Sequence, residues 1–415
     1  MRPSVQKATR KQTRVHNSRL IFKTIYDREE VSRADIARET GLTRTTVSDV
    51  VGELIGKGLV EEIGYGPSAG GKPPILLSVV DDSYHLMGID LASGEFRGAI
   101  VNLRGEIRHR IDLPLDDRDG EIALSLVYKL IDRLMQATDS PLLGIGIGSP
   151  GLMDPIHGVV RRSVNLDWRD LPLRSLLRER YGLPVYVAND SQTAALAEYT
   201  FSDIDRNDNL VVVKIENGIG AGIVLNSRLL YGDTFGAGEI GHMVVVDGGQ
   251  RCRCGNFGCL ETVASARSIL RQAQPITRNP QSLLAQYVAD GEEITLPLLR
   301  KAFLNGDEMV TDLLSNTARY LGVALASCVS VLSIRRILIA GEIAIFGEEW
   351  LHIIRQVMIQ RSLSLVANET EVGASSISPD IIVILGASAL VLTYELGLFA
   401  PLLIGAPSGR GIFRD

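Results

Sequence analysis

The 415-residue chain is 45% hydrophobic but only 5% aromatic, contains 41 glycines and has a formal net charge of −6. At roughly 100–200 residues per domain this length predicts two or three domains, and the glycine-dense, aromatic-poor composition predicts an Ala/Val/Leu/Ile-built α/β protein with many tight turns. Apolar runs such as Ile381 to Leu385 and Ala387 to Leu392 are too short or too interrupted to span a bilayer, which argues against a membrane class and makes the cytoplasm the expected compartment.

Charge is distributed unevenly. Residues 1–80 hold 13 Lys+Arg against 9 Asp+Glu, a balance of +4, so the total of −6 leaves −10 for the remainder. Arg2, Lys7, Arg10, Lys11, Arg14, Arg19 and Lys23 all precede the first acid, Asp27. A basic arm over residues 1–16 ahead of an acidic body is an electrostatic footprint for nucleic acid, although basic tails also serve solubility. Leu20, Ile21 and Ile25 recur at helical spacing and predict a first helix from Asn17 to about Asp27–Glu29. Ser32, with Asp35 three residues on, caps a second helix that Gly41 closes. Thr43 caps a third, to about Lys57, in which Val47, Val50, Val51, Leu54 and Ile55 form one apolar stripe and Arg44, Thr45, Ser48 and Asp49 face outward. Two short helices joined by a glycine turn make a helix-turn-helix. Leu59–Ile63 and Ile75–Val80 read as strands around the loop Gly64–Lys72, which adds a wing. Candidate DNA contacts are Arg33, Thr43, Arg44, Thr45, Thr46 and Ser48 in the helices and Lys72 in the wing.

From residue 83 the pattern changes. Strands are predicted at His85–Asp90, Phe96–Val101 and Glu106–Ile111, then a helix over Glu121–Ala137 and a strand at Leu142–Gly148. Val185–Val187 is a short strand that delivers Asn189-Asp190 to the mouth of a helix, Ser191–Phe201, and strand ends are where α/β proteins place chemistry. A cap of that helix is the plainer role for Asp190, and it is compatible with ligand contact. Strands at Leu210–Ile215 and Gly222–Leu225 flank the segment Glu216 to Gly222, and glycines held between two strands make a dinucleotide loop an unlikely use. Glu261 starts a helical region. Helices follow at Ser282–Val288, Pro297–Phe303 and Asp312–Leu332, strands at Arg336–Ala340 and Ile381–Leu385, and a closing helix runs from Gly386 to about Leu396.

Three of the four cysteines, Cys252, Cys254 and Cys259, fall within eight residues, and His242 lies ten residues before the first of them. Thiolate and imidazole are the ligands Zn²⁺ favours, and a closed Cys₃His shell leaves no position for a reacting water, so a structural role is expected. A disulfide would leave one of the three thiols unpaired.

The run Glu239-Ile240-Gly241-His242, followed by Cys252-x-Cys254-x₄-Cys259-Leu260-Glu261, resembles the signature of the ROK family, which holds sugar-responsive transcriptional repressors and sugar kinases. The resemblance implies an α/β fold in which an N-terminal winged helix-turn-helix precedes a two-lobed actin-like (ribonuclease-H-like) ROK domain. It implies a basic arm at 1–16, a DNA-binding domain at 17–81, a first lobe at 82–200 completed by a C-terminal helix at 386–397, a second lobe at 201–385 with the zinc site, and a tail at 398–415. The glycines of the wing would let its backbone approach the minor groove, with Lys72 supplying charge. Asn189, Asp190, Glu239, His242 and Glu261 match positions that hold sugar, and Asn165 belongs to an Asn-Leu-x-Trp segment near the same ligand. In a kinase Asp190 would be the general base. Kinase members, however, follow their first strand with Asp-x-Gly-Gly-Thr, whereas this chain has Asp90-Leu91-Ala92-Ser93-Gly94-Glu95, and Gly341-Glu342 stands where a Gly-Gly approaches adenosine. The expectation is a non-catalytic repressor, a homodimer or dimer of dimers on a palindromic operator, whose DNA affinity changes when a monosaccharide binds between the lobes. An ATP-dependent sugar kinase that retains a DNA-binding domain is the alternative.

Overall fold

The computed structural model describes residues 9–67, 73–92, 94–116, 118–205, 208–398 and 413. The first helix, α1 (Arg10–Arg28), starts earlier than apolar spacing predicts. Thr9 caps it, accepting from Gln12 N while the Gln12 side chain accepts from Thr9 N, so both ends of a capping box are made. Arg10, Lys11 and Arg14 therefore belong to a helix and not to an extended arm; the Thr-x-x-Gln signal precedes the first apolar residue of the stripe. After β1 (Val31–Ser32), helix α2 (Arg33–Thr40) is capped by Ser32 and Asp35 and ends at Gly41, whose φ of 69° is the left-handed conformation of a helix stop. Helix α3 (Arg44–Gly56) is capped by Thr43 and buries Val47, Val50, Val51 and Leu54. Strands β2 (Val60–Tyr65) and β3 (Ile75–Val79) pair antiparallel, and β3 also pairs with β1, giving the order β1-β3-β2. This is a winged helix, with the hairpin β2–β3 as the wing.

Strands β4 (His85–Leu91), β5 (Glu95–Val101) and β6 (Ile107–Pro114) form an antiparallel meander, followed by α4 (Gly120–Gln136) and β7 (Leu142–Ser149). A small sheet of β8 (Leu152–Asp154), β9 (Val159–Ser163) and β10 (Trp168–Leu171) then leads through α5 (Leu173–Tyr181) to β11 (Val185–Asn189). After α6 (Asp190–Phe201), a second sheet begins with β12 (Leu210–Ile215), β13 (Ile219–Leu225) and β14 (Arg228–Leu229). Helices α7 (Glu261–Ala264), α8 (Ala266–Ala273), α9 (Leu283–Ala289), α10 (Leu296–Leu304) and α11 (Glu308–Leu332) precede β15 (Arg336–Ala340). The chain closes with α12 (Gly347–Arg361), α13 (Ser364–Ala367), β16 (Glu371–Ala374) and α14 (Ile382–Val391), which continues as a π-helical turn to Leu396.

The two large sheets have the orders β11-β7-β4-β5-β6 and β14-β13-β12-β15-β16. Numbered within each sheet, and with the first read from its β6 end, both run third, second, first, fourth, fifth, with β15 and β16 joining the second sheet in parallel. The same arrangement built twice is the duplicated ribonuclease-H-like plan. By packing, residues 148–153 and 188–386 form one unit, and the winged helix, the first sheet and the residues from 387 form the other. Helix α6 goes with the second unit because it packs on β12 and β13.

Two local expectations change. The second strand starts earlier than expected, at Ile219 and not Gly222, so Gly220 lies inside β13 beside Gly222 and not in a loop between strands. A Cβ on Gly222 would stand 2.3 Å from Ser191 O and 2.4 Å from the Ala195 methyl, so bare backbone is what lets α6 lie directly on the strand. Ile381–Leu385 is predicted as a strand but starts helix α14. A five-residue apolar run fits either period, and the decisive feature is its continuation as buried small and apolar residues through Leu392, which is longer than a strand needs.

Candidate functional site

His242 ends a short 3₁₀ turn, Ile240–His242, and the three cysteines follow on a knuckle held by backbone bonds: Cys252 N to Asn256 O at 2.7 Å, Gly258 N to Gln250 O at 2.8 Å and Leu260 N to Met243 O at 2.8 Å. One ligand atom from each of His242, Cys252, Cys254 and Cys259 lies within 4.8 Å of all the others, so the cluster could hold a metal ion. Two edges of that tetrahedron are 3.6 Å, Cys252 Sγ to His242 Nδ1, and 3.7 Å, Cys254 Sγ to Cys259 Sγ. Ligands about 2.3 Å from a tetrahedral centre are separated by about 3.7 Å, so the spacing fits a zinc-sized ion and is far too long for a disulfide. Burial raises the Cys252 thiol and pushes Cys259 up to about 12, so a compact cluster of thiolates needs a cation beside it.

The same scaffold carries a group of carboxylates. Gly238, with φ of 94°, passes so close beneath β13 that a Cβ would stand 1.8 Å from Ala221 O, and its own carbonyl accepts from Ala221 N at 2.7 Å. This fixes the turn that presents Glu239, whose side chain keeps 42% exposure. His242 turns Nδ1 to the cysteines and Nε2 toward Glu239 Oε2, 3.8 Å away. Crowding by protein atoms raises the Glu239 carboxyl, His242 draws it back, and the Asp190 and Glu261 carboxylates raise it further, so Glu239 senses the charge of both neighbouring acids. Glu261 opens α7 directly after Cys259-Leu260, and its Oε2 accepts from Ile219 N at 3.2 Å.

Asn189, at the end of β11, is the cap of α6: its Oδ1 accepts from Ser191 N at 2.8 Å and Gln192 N at 3.4 Å, while Nδ2 donates to Gly151 O at 2.9 Å. The capping that might have fallen to Asp190 is thus led by Asn189, although Asp190 Oδ1 also accepts from Ser191 N at 2.9 Å. Sequence inspection missed the partner of Asp190. Lys214 Nζ lies 3.0 Å from Asp190 Oδ2 and 2.6 Å from Glu216 Oε2. A lone lysine in the apolar run Leu210–Ile215 was the available signal, since a buried ammonium requires a paired charge.

Asn165 belongs to the other unit, exposed on the turn between β9 and β10. In that unit Arg97 lies 3.7 Å from Asp90 Oδ2 and 2.7 Å from Glu95 Oε1, so the strand-turn that a nucleotide-binding reading would need is crossed by an ion cluster. In the winged helix, Arg44, Thr45 and Ser48 are exposed on α3. Thr43 and Thr46 share a hydroxyl bond of 2.9 Å, and Arg33 pairs with Glu62 of the wing strand at 2.8 Å. Lys72, like Ser93, lies outside the described residues. Among the described residues no helix is long and apolar enough to cross a membrane.

A duplicated ribonuclease-H-like body with a His/Cys₃ cluster next to converging carboxylates, joined to a winged helix, defines a family, and the ROK family model matches residues 86–393. The chain belongs to the ROK family. It is similar to the xylose repressor of Caldicellulosiruptor bescii, 32% identical over 91% of this chain and 95% of that protein. Among solved structures it is similar to a ROK family transcriptional regulator described as a homolog of the E. coli MLC protein, with a TM-score of 0.81, 28% identity, and coverage of 93% of this chain and 98% of that one. A ROK family glucokinase from Streptomyces griseus, solved with glucose and AMPPNP, matches with a TM-score of 0.66 and 26% identity over 98% of its own chain but 74% of this one.

Proposed function

We propose that this protein is a sugar-responsive, DNA-binding transcriptional repressor of carbohydrate-metabolism genes. The observation that carries this reading is coverage. Similarity to the named repressor and to the solved regulator runs over 91% and 93% of the chain, whereas the glucokinase accounts for 74%. The winged helix reads a palindromic operator through Arg44, Thr45, Thr46 and Ser48, with Arg33, Thr43 and Lys72 as further candidate contacts, and the protein acts in the cytoplasm as a homodimer or dimer of dimers. Residues 17–81 are assigned to DNA, and the two lobes, 82–200 with 386–397 and 201–385, to sensing.

Zn²⁺ is the metal proposed for His242, Cys252, Cys254 and Cys259, in a structural role. It ties the turn carrying Glu239 to the start of the helix carrying Glu261, so a monosaccharide can find Asn189, Asp190, Glu239 and Glu261 pre-placed, with Asn165 as a further candidate. Non-catalytic binding is supported by two ion clusters. Arg97 occupies Asp90 and Glu95, and both Asp190 oxygens are already engaged, Oδ2 by the Lys214 ammonium and Oδ1 by Ser191 N. Footprinting on the promoter regions of carbohydrate operons, run beside a coupled ADP-release assay with monosaccharides, tests the reading. A protected palindrome without turnover is expected. Turnover above about 1 s⁻¹, the low end for kinases, would favour the sugar-kinase alternative.

A further inference from the structure

We infer that Lys214 and Glu216 set the charge class of the ligand: the constellation of Asp190, Glu239 and Glu261 takes an uncharged polyhydroxy compound and rejects its phosphate monoester. The inference rests on the sugar-binding role proposed above and specifies the ligand of that same site. Lys214 is 4% exposed on β12, and its ammonium is shared between Asp190 and Glu216. Two carboxylates around one ammonium leave that trio net negative, and Glu239 and Glu261 add acid beside it. Recruiting Lys214 to an anionic ligand would draw a buried ammonium away from two partly buried carboxylates, and breaking such a pair is unfavourable.

The nearby backbone donors point the same way. A helix N-terminus and free N–H groups are what a phosphate seeks. At the start of α6, Ser191 N is taken by Asn189 Oδ1 and Asp190 Oδ1, and Gln192 N by Asn189 Oδ1. On β13, Ile219 N is taken by Glu261. The chain has filled these positions with its own acceptors. What the site offers outward is carboxylate oxygen, and the half-exposed Glu239 is its clearest case. Such acceptors suit ligand hydroxyls, which donate, and repel a phosphate carrying about −1.5 to −2 charges at neutral pH.

Titration calorimetry of the full-length protein with D-xylose, D-glucose and N-acetylglucosamine, each alongside its own monophosphate, tests this. At least one free sugar should bind, and its monophosphate should bind weaker by about 100-fold or more, as expected for like charges at a partly buried site. In Glu216→Gln the ratio between the two should shrink by roughly tenfold, since one negative charge is gone. A merely structural defect would weaken both ligands alike and leave the ratio unmoved. A monophosphate that binds as tightly as its parent sugar, or a ratio that Glu216→Gln does not change, overturns the charge selection while sugar sensing stands. If none of these compounds binds, both fail.

Discussion

Tyr26 Oη donates to the carbonyl of Leu103 at 2.7 Å, and this buried bond fastens α1 of the winged helix to the turn between β5 and β6. Arg104 completes the joint: its Nη1 donates to Tyr26 O at 2.7 Å, its Nε to Asp81 at 3.1 Å, and its guanidinium lies 4.3 Å from the Tyr26 ring centroid. Helix α1 in turn packs on α2 and α3, so this joint links the β5–β6 turn to the rest of the winged helix. Tyr26→Phe keeps the ring and removes the bond, at a cost of about 1 kcal/mol. The ratio of operator affinities with and without sugar should move toward one, more than the affinity itself changes. An unaltered ratio would remove this joint from the transmission path.

For the metal, one equivalent of zinc per chain is expected by elemental analysis. Cys254→Ala removes a ligand without opening the core, because Cys254 is the exposed member of the set, and should lower metal content, melting temperature and sugar response together. The pH dependence follows from the thiols. Burial raises Cys252 and Cys259 in the metal-free chain, so protons compete with the ion, and a chelator should strip metal faster in mildly acidic than in mildly alkaline buffer. The opposite order would argue against thiolate ligation.

On the winged helix, Arg44→Ala and Ser48→Ala should each cost about 1–3 kcal/mol of operator affinity with little effect on random-sequence DNA. Arg33→Ala should cost less, since Arg33 must leave Glu62 before it can reach a phosphate. Lys72→Ala should chiefly flatten the salt dependence. Competition titrations at several salt concentrations separate these effects, and equal losses on specific and random DNA for Arg44→Ala would refute its role in base reading.

Much of this was legible in the chain. Ser32 with Asp35, Thr43 before an apolar stripe, and the His/Cys₃ spacing are local signals whose physics is complete within a few residues. What sequence reading missed depends on distant partners. Lys214 has meaning only once folding brings β12 beside the start of α6, and Arg97 only once β5 pairs with β4. Gly220 looks like part of a loop until a helix lies on the strand that holds it. Ile381–Leu385 fits both periods until the burial of every residue from Ile382 to Leu385 is known.

Asp307 offers a stability test at a residue with no assigned ligand role. It is 3% exposed and caps two helices, accepting from Val310 N at 3.1 Å for α11 and from Leu284 N at 3.0 Å for α9, with Ser282 Oγ as a further donor. Burial pushes its carboxyl up, but the bonds from Ser282, Leu284, Val310 and Met309 outweigh that and hold it below the usual value. A lowered folded-state value means that stability is present above the unfolded value and lost as pH falls through the folded one. Asp307→Ala should therefore destabilise by about 2–3 kcal/mol near neutrality. Denaturant unfolding should show that difference shrinking in acid, and a constant difference would contradict the ionised cap.

The most direct test of sugar-responsive repression is operator binding by the full-length protein with and without the monosaccharide that most raises its melting temperature. Affinity should fall by about 5–150-fold at saturating sugar, the usual range of coupling between two sites, and Asp190→Ala and Glu239→Ala should abolish the change while leaving DNA binding in place. A sugar that binds with measurable affinity yet leaves operator affinity unchanged, or variants that respond as the parent does, would contradict it.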